Sequence, residues 1–123
     1  MAQGRGSAMT VAVTLLVVLL VHSAVVDAVV YNVGASGWSF NSVAWTNGKK
    51  FRAGDVLVFK YNPSFHNVVK VDRASFNACK TPRGAPVFKS GKDSIKLTKG
   101  ANSFICNFPG HCESGMKITI NAA

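Results

Sequence analysis

Acidic residues, histidines and cysteines are scarce in this sequence. Among 123 residues there are five Asp and Glu, three His and three Cys. His22 lies in an apolar N-terminal run, so only His66 and His111 remain for chemistry in the rest of the chain. A thiol hydrolase needs a base oriented on its nucleophile, and no acidic partner for such a pair is evident. Oxidase chemistry at several metal centres needs more ligands than two histidines provide, so we predict that the chain is not an enzyme.

Features of extended or anchored proteins are also missing. No internal repeat, low-complexity segment or linker interrupts the chain. The Asn-x-Ser/Thr match Asn62-Pro63-Ser64 has Pro at its centre, which excludes N-glycosylation. The sequence stops at Ala123 without a Pro/Ser-rich stalk or a hydrophobic tail, so we expect neither a lipid anchor nor a membrane anchor.

The N-terminal residues have the pattern of a secretory signal peptide. Arg5 provides a positive charge, residues 9–21 form an apolar run, and Val26-Asp27-Ala28 resembles a cleavage site. The apolar run is too short to favour a membrane-spanning helix. We therefore expect residues 1–28 to be removed and residues 29–123 to form one secreted domain.

The remaining domain is strongly basic. The formal net charge is +9, from 14 Lys and Arg against 5 Asp and Glu, and the basic residues are scattered rather than grouped in a run. A field of this sign attracts acidic polysaccharide, acidic proteins or nucleic acid, and secretion argues against nucleic acid. The charge could equally serve only to keep a small domain soluble, and both interpretations stay open.

Short apolar runs separated by Gly, Pro and Asn predict mostly strand. This pattern is typical of a β-sandwich or barrel. One or two helical turns are expected over residues 72–79, with Asp72 as the N-cap. The expected strands cover residues 29–33, 55–61, 68–71, 94–98, 104–107 and 117–121.

A loop between the last two expected strands carries three side chains that bind metals. Cys106, His111 and Met116 follow one another at five-residue steps. Pro109 and Gly110 allow the loop to turn sharply, so the three side chains can converge on one point. Thiolate, imidazole and thioether together indicate a soft metal.

A second histidine completes a recognisable ligand set. Two His and one Cys in a trigonal arrangement, with a weak axial Met, are typical of blue copper. His66 lies just before an expected strand and can join Cys106, His111 and Met116 at one end of a sandwich. We therefore predict one type 1 copper ion at these four residues. Asn67 is placed to form a hydrogen bond across to the Cys106 loop.

Each of these residues also has a simpler explanation. A lone His is usually a surface or core residue, and Met116 alone would be a core filler. Cys106 could pair with Cys79 or Cys112, whereas a thiolate at Cys106 would leave those two free to pair with each other. Structural zinc is the nearest chemical rival, but zinc sites rarely recruit Met. The joint occurrence of all these features favours copper.

The sequence resembles the phytocyanins, plant members of the cupredoxins. The Cys-x4-His-Cys-x3-Met arrangement is a specific signature of that group. Met116 stands where stellacyanin-like members have Gln, and the basic charge and missing stalk are most similar to the plantacyanins, or basic blue proteins. The resemblance covers nearly all of residues 29–123 and includes Val30-Tyr31-Asn32-Val33-Gly34, Gly37-Trp38, Trp45, Phe51-Arg52-Ala53-Gly54-Asp55, Val58-Phe59-Lys60-Tyr61, His66-Asn67-Val68, Cys79, Phe104-Ile105-Cys106, Gly110-His111-Cys112 and Gly115-Met116-Lys117.

This resemblance implies a cupredoxin-like, Greek-key antiparallel β-sandwich with one or two short helical turns. It implies a monomer with one type 1 copper ion and a disulfide between Cys79 and Cys112. It also implies that copper is exposed near His111, where an unidentified redox partner would dock. The expected location is the extracellular space, or cell wall (apoplast), of a plant.

Two functions follow from the residues and the resemblance. The first is a secreted single-electron carrier that alternates between Cu(II) and Cu(I). The second is a matrix signalling or adhesion protein, for example in pollen-tube guidance, whose basic surface binds acidic cell-wall polymers or a receptor. In that case copper would be structural or modulatory.

Overall fold

The computed structural model describes residues 27–123, which form seven strands, one α-helix and one short 3-10 helix. The predicted signal peptide lies outside the described residues except for its last two positions. Within the described part, no helix is long and apolar enough to cross a membrane. The strands are β1 (Val30–Asn32), β2 (Val56–Lys60), β3 (Val68–Val71), β4 (Val87–Phe88), β5 (Lys92–Lys96), β6 (Gly100–Ile105) and β7 (Lys117–Ala122); the 3-10 helix covers Ser42–Thr46 and helix α1 covers Arg73–Ala78.

The strands form two sheets, as a sandwich requires. One sheet has the order β1-β2-β5 and the other the order β4-β3-β6-β7. The neighbours β2 and β5, and β3 and β6, are distant in sequence, so the chain crosses between sheets as a Greek-key sandwich predicts. All pairs are antiparallel except β1 and β2, which are parallel. The predicted fold is confirmed. Parallel pairing of β1 with β2 requires a long connection between the two strands, and residues 33–55 provide it.

Alternation of apolar and polar residues places one face of each sheet in the core. Leu57 and Phe59 of β2 are fully buried, as are Phe104 of β6 and Ile118 of β7. The rings of Phe59 and Phe104 lie 5.1 Å apart across the sandwich. Each such side chain contributes about 1.5–3 kcal/mol by leaving water, so these contacts hold the two sheets face to face.

A smaller apolar cluster lies under helix α1. Phe76 of the helix packs on Val69, Val71 and Ile105, which project from the outer face of β3 and β6. The predicted helix is confirmed, and its N-cap is Asp72, whose carboxylate accepts a 2.7 Å hydrogen bond from the Ser75 amide. A hydrogen bond from the Ser75 side chain, and then the one from its amide, lower the pKa of Asp72.

The strand boundaries differ from the predicted ones where polar residues are buried. Strand β6 begins at Gly100 rather than at residue 104, because Asn102 is only 1% exposed and bonds to the carbonyls of Thr98 and Gly100. Strand β5 begins at Lys92, and its buried Asp93 accepts hydrogen bonds from Tyr61 and Ser90. Burial, and then the Asp93 hydrogen bond, raise the pKa of Tyr61 to about 12, so its hydroxyl remains a donor.

Candidate metal centre

The base of the Cys106–Met116 loop is fixed by the ladder between β6 and β7. Ile105 pairs with Lys117 in the antiparallel register, which brings the next residues, Cys106 and Met116, side by side. The Cys106 amide donates a 3.1 Å hydrogen bond to the Met116 carbonyl. Both side chains are fully buried in the main core. Sheet pairing therefore places the first and last candidate ligands at the same end of the sandwich.

Tight turns return the middle of the loop toward its base. The His111 amide donates to the Phe108 carbonyl at 3.0 Å, and the Met116 amide donates to the His111 carbonyl at 3.0 Å. Gly115 has a φ of +101°, and a Cβ there would lie 3.4 Å from the side-chain oxygen of Asn41. Glycine is the residue that adopts this conformation without strain, and it lets the loop close over His111.

His66 reaches the same point from a different strand connection. It lies two residues before β3, and its amide donates a 3.1 Å hydrogen bond to the Asn62 carbonyl. Strand β3 pairs with β6, so the start of β3 lies beside the end of β6, where Cys106 follows. The sheet order therefore brings together ligands that are 40 residues apart in sequence.

The potential ligand atoms of three residues converge. Nδ1 of His66 lies 3.2 Å from Nδ1 of His111, and Sγ of Cys106 lies 3.5 Å from Nδ1 of His111. All three atoms lie within 4.8 Å of one another. Typical metal–nitrogen and metal–sulfur bonds of about 2.0 and 2.3 Å, at angles between tetrahedral and trigonal, place ligand atoms about 3.3–3.5 Å (N to N) and about 3.5–3.7 Å (S to N) apart. The observed separations fit one shared metal ion.

The protonation of His66 suits coordination. Burial, and then the nearby His111, lower the pKa of His66. The imidazole is therefore neutral at neutral pH, and its Nδ1 can present a lone pair. Cys106 is the free cysteine of the described chain, because Cys79 and Cys112 form a disulfide as the resemblance implied. That disulfide joins the end of α1 to the residue after His111.

Asn67 connects the His66 segment to the Cys106 loop. It is 5% exposed, and its amide group donates to the Asn107 side-chain oxygen at 2.6 Å. Its own side-chain oxygen accepts a 3.0 Å hydrogen bond from the Asn107 amide. The Trp38 indole donates to the Asn67 carbonyl at 2.9 Å. These bonds hold the two ligand-bearing segments at a fixed separation.

We expect Asn67→Ala to lower the free energy of unfolding by about 1–3 kcal/mol, because it removes both hydrogen bonds and leaves the Asn107 amide without its partner. Denaturant unfolding of the metal-free protein measures this loss. Asn121→Ala, at an exposed position of β7, is the matched control and should change stability by less than about 0.5 kcal/mol. Equal stabilities for the two variants would show that the pair of asparagines does not hold the loop.

Aromatic residues around the histidines were not identified from the sequence. The Phe40 ring meets the rings of His66 and His111 edge-on, at 6.0 and 5.3 Å, and the Phe108 ring stacks on His111 at 5.7 Å. Phe40 is distant from both histidines in sequence, so no spacing pattern could have revealed it. Asn107 could have been identified from the sequence, because it is a polar residue directly after the candidate ligand Cys106.

Comparison with known proteins agrees with this arrangement. Residues 37–116 match the model of the plastocyanin-like domain family. The chain is 61% identical to a basic blue protein of Arabidopsis thaliana over 99% of both chains, and 52% identical to a chemocyanin of Lilium longiflorum over the whole of both. The solved structure of cucumber basic protein, a blue copper protein, shares 61% identity and superposes with a TM-score of 0.74, covering 76% of this chain and 99% of that one. The prediction that the chain is not an enzyme is confirmed by these relationships. The chain belongs to the phytocyanin family of plastocyanin-like proteins and is similar to the basic blue proteins.

Proposed function

We propose that this protein binds one type 1 copper ion and carries single electrons. The residues that would hold it are His66, Cys106, His111 and Met116, whose thioether would be a weak donor. The observation that carries the proposal is the convergence of two imidazole nitrogens and one buried thiol within 4.8 Å of one another. The relatives named as blue copper proteins support the choice of metal.

The donor set suits one-electron chemistry. Copper, when bound, supplies the exchange between Cu(II) and Cu(I). The Cys106 thiolate and Met116 thioether are soft donors that favour the reduced state, whereas the two imidazoles suit both states. The hydrogen bonds of Asn67 and the disulfide at Cys112 hold the ligands in place, so little rearrangement should accompany electron transfer.

The histidine edge offers a place for electrons to enter and leave. His66 and His111 are partly exposed, while Cys106 and Met116 are fully buried. Phe40, which meets both imidazole rings, and Phe65, next to His66 in the chain, add apolar surface at 38% and 61% exposure. Exposed apolar surface of this kind favours docking of another protein. We propose that a redox partner binds here, near His111.

The visible and electron-paramagnetic resonance spectra after addition of one equivalent of Cu(II) test the proposal. An intense blue band with narrow copper hyperfine splitting is the expected result, because it reports thiolate coordination in a type 1 site. A colourless sample with ordinary tetragonal copper, or with no bound copper, would refute the electron-carrier function.

Met116→Gln should lower the reduction potential while copper stays bound. The amide oxygen of Gln is a harder donor than a thioether and stabilises Cu(II) relative to Cu(I). We expect a decrease of more than about 60 mV, a factor of ten for a one-electron couple, in a redox titration. Ser114→Gln, which places the same side chain at an exposed position of the loop, is the control. An unchanged potential in Met116→Gln would exclude Met116 as a copper ligand.

The extracellular space is the proposed location. The signal-like N-terminus and the Cys79–Cys112 disulfide support it, because disulfides persist in oxidising compartments. A role in matrix signalling or adhesion is a second candidate function, which the excess of basic over acidic residues favours. Retention of biological activity by a folded, copper-free variant would favour this role over electron transfer.

A further inference from the structure

Two of the four acidic residues in positions 29–123 are buried. Asp55 is 3% exposed and accepts hydrogen bonds from the amides of Val29 and Arg52, at 3.0 and 2.9 Å. Asp93 is 7% exposed and bonds to two hydroxyl groups, while Asp72 caps helix α1. Asp27 lies in the predicted signal peptide, so residues 29–123 expose only Asp72 and Glu113 against the exposed lysines and arginines. The surface charge is therefore positive with little local compensation.

Three of the exposed lysines share the outer face of the β1-β2-β5 sheet. Lys60 pairs directly with Lys92, and Val56 pairs with Lys96, so these side chains project on the same side. Lys60, Lys92 and Lys96 are all exposed, whereas the intervening Asp93 is buried. The alternation of β5 thus turns its acidic side chain inward and its basic side chains outward. We call Lys60, Lys92 and Lys96 the lysine face.

The positions of these three lysines do not stabilise the fold. Like charges directly opposite each other on antiparallel strands are destabilising, and Lys60 and Lys92 form such a pair. Their Cβ atoms lie about 5 Å apart by strand geometry, and Lys92 and Lys96 lie about 13 Å apart along β5. An anion that binds across both spacings would relieve this repulsion.

We propose that the lysine face binds a linear acidic polysaccharide of the polyuronate type. Such a polymer carries a carboxylate on each sugar, so it can meet lysines at both the short and the long spacing. The exposed Ser94 and Asn32, which flank Val58 on this face, can bond to its hydroxyl groups. Val58 in the central row is only 8% exposed, so the face lacks the apolar centre that a protein partner would require.

This inference gives the proposed matrix role a defined surface and ligand, and it rests on that role only for the extracellular location. The lysine face lies on the sheet that does not carry Cys106 and Met116. Binding of the polymer should therefore be the same with and without copper, and also in Cys106→Ser. A failure of polymer binding is distinguishable from a failure of the copper site.

Binding of the purified protein to immobilised polygalacturonate, at about 0.02 and 0.15 M salt, tests the proposal. Combined Lys60→Gln, Lys92→Gln and Lys96→Gln should weaken binding by about tenfold to a hundredfold. Combined Arg73→Gln, Lys80→Gln and Arg83→Gln removes the same charge from exposed positions on and after α1, and should weaken binding by less than about threefold. Replacement of the three face lysines by Arg should preserve binding.

Lys92→Glu separates ligand binding from a structural role. It replaces a repulsive pair with an attractive one across β2 and β5, so the thermal midpoint should rise while polymer binding weakens. Three results would overturn the proposal: equal losses in the two triple-Gln variants, no binding of polygalacturonate at the lower salt concentration, or binding of polyglutamate in preference to polygalacturonate. The last result would assign the face to an acidic polypeptide.

Discussion

Cys106→Ser should remove the intense blue colour of the copper-loaded protein completely. The colour of a type 1 site comes from a thiolate bound to copper, and Cys106 holds the one free thiol among the described residues. Cys79 and Cys112 cannot replace it because they are bonded to each other. His66 and His111 remain in the variant, so copper can still bind, but with the weak absorption of an ordinary nitrogen and oxygen site.

Absorption spectra of the wild type and the variant, each with one equivalent of Cu(II), measure this effect. Circular dichroism of the metal-free proteins shows whether both are folded. Thiol titration of the unfolded, unreduced proteins should find the Cys106 thiol in the wild type and none in the variant. A blue variant would mean that Cys106 is not a ligand, and the proposed electron carrier would then lack its central donor.

Removal of the disulfide by combined Cys79→Ala and Cys112→Ala should cause the largest loss of stability. The two residues are 33 positions apart, and closing a loop of this length in the unfolded chain corresponds to about 3.7 kcal/mol in the chain-entropy model. At about 4–8 °C per kcal/mol for a domain of this size, the thermal midpoint should fall by about 15–30 °C.

Calorimetry of the metal-free protein tests this expectation, since bound metal would add its own stabilisation. Cys106→Ser, which keeps the disulfide, is the reference for replacing a buried cysteine. A decrease of only a few degrees in the double variant would show that the helix and the metal loop are held together by packing of Phe76 on β3 and β6 rather than by the covalent bond.

The site was more predictable from the sequence than the details of the sheets. Cys106, His111 and Met116 lie on one loop at regular spacing, and the loop is closed by adjacent strands, so local sequence contains most of the information. His66 required only the inference that the sandwich brings two loops to the same end. The chemistry of these side chains is specific enough to limit the choice of metal.

Features that depend on contacts between distant segments could not be predicted in this way. The parallel pairing of β1 with β2 depends on how residues 33–55 cross the sandwich, which no local pattern encodes. Strand β4 has two residues, too few for a periodic signal. Phe40 lies beside the histidines because its segment folds back onto the Cys106–Met116 loop. The Asn41 amide donates a 3.2 Å hydrogen bond to the Gly115 carbonyl there. Buried polar residues such as Asn102 resemble loop residues until their hydrogen bonds are known.

The way in which the candidate metal loop is anchored has a kinetic consequence. Its two ends are joined by the β6–β7 ladder, and its middle is covalently attached to the end of α1. Neither end can swing away unless β6 separates from β7, and such a separation is among the larger openings of the fold. Opening of the loop would then need much of the free energy of unfolding the domain. Reaction of the buried Cys106 sulfur with a thiol reagent in the metal-free protein should consequently have the same steep temperature dependence as unfolding.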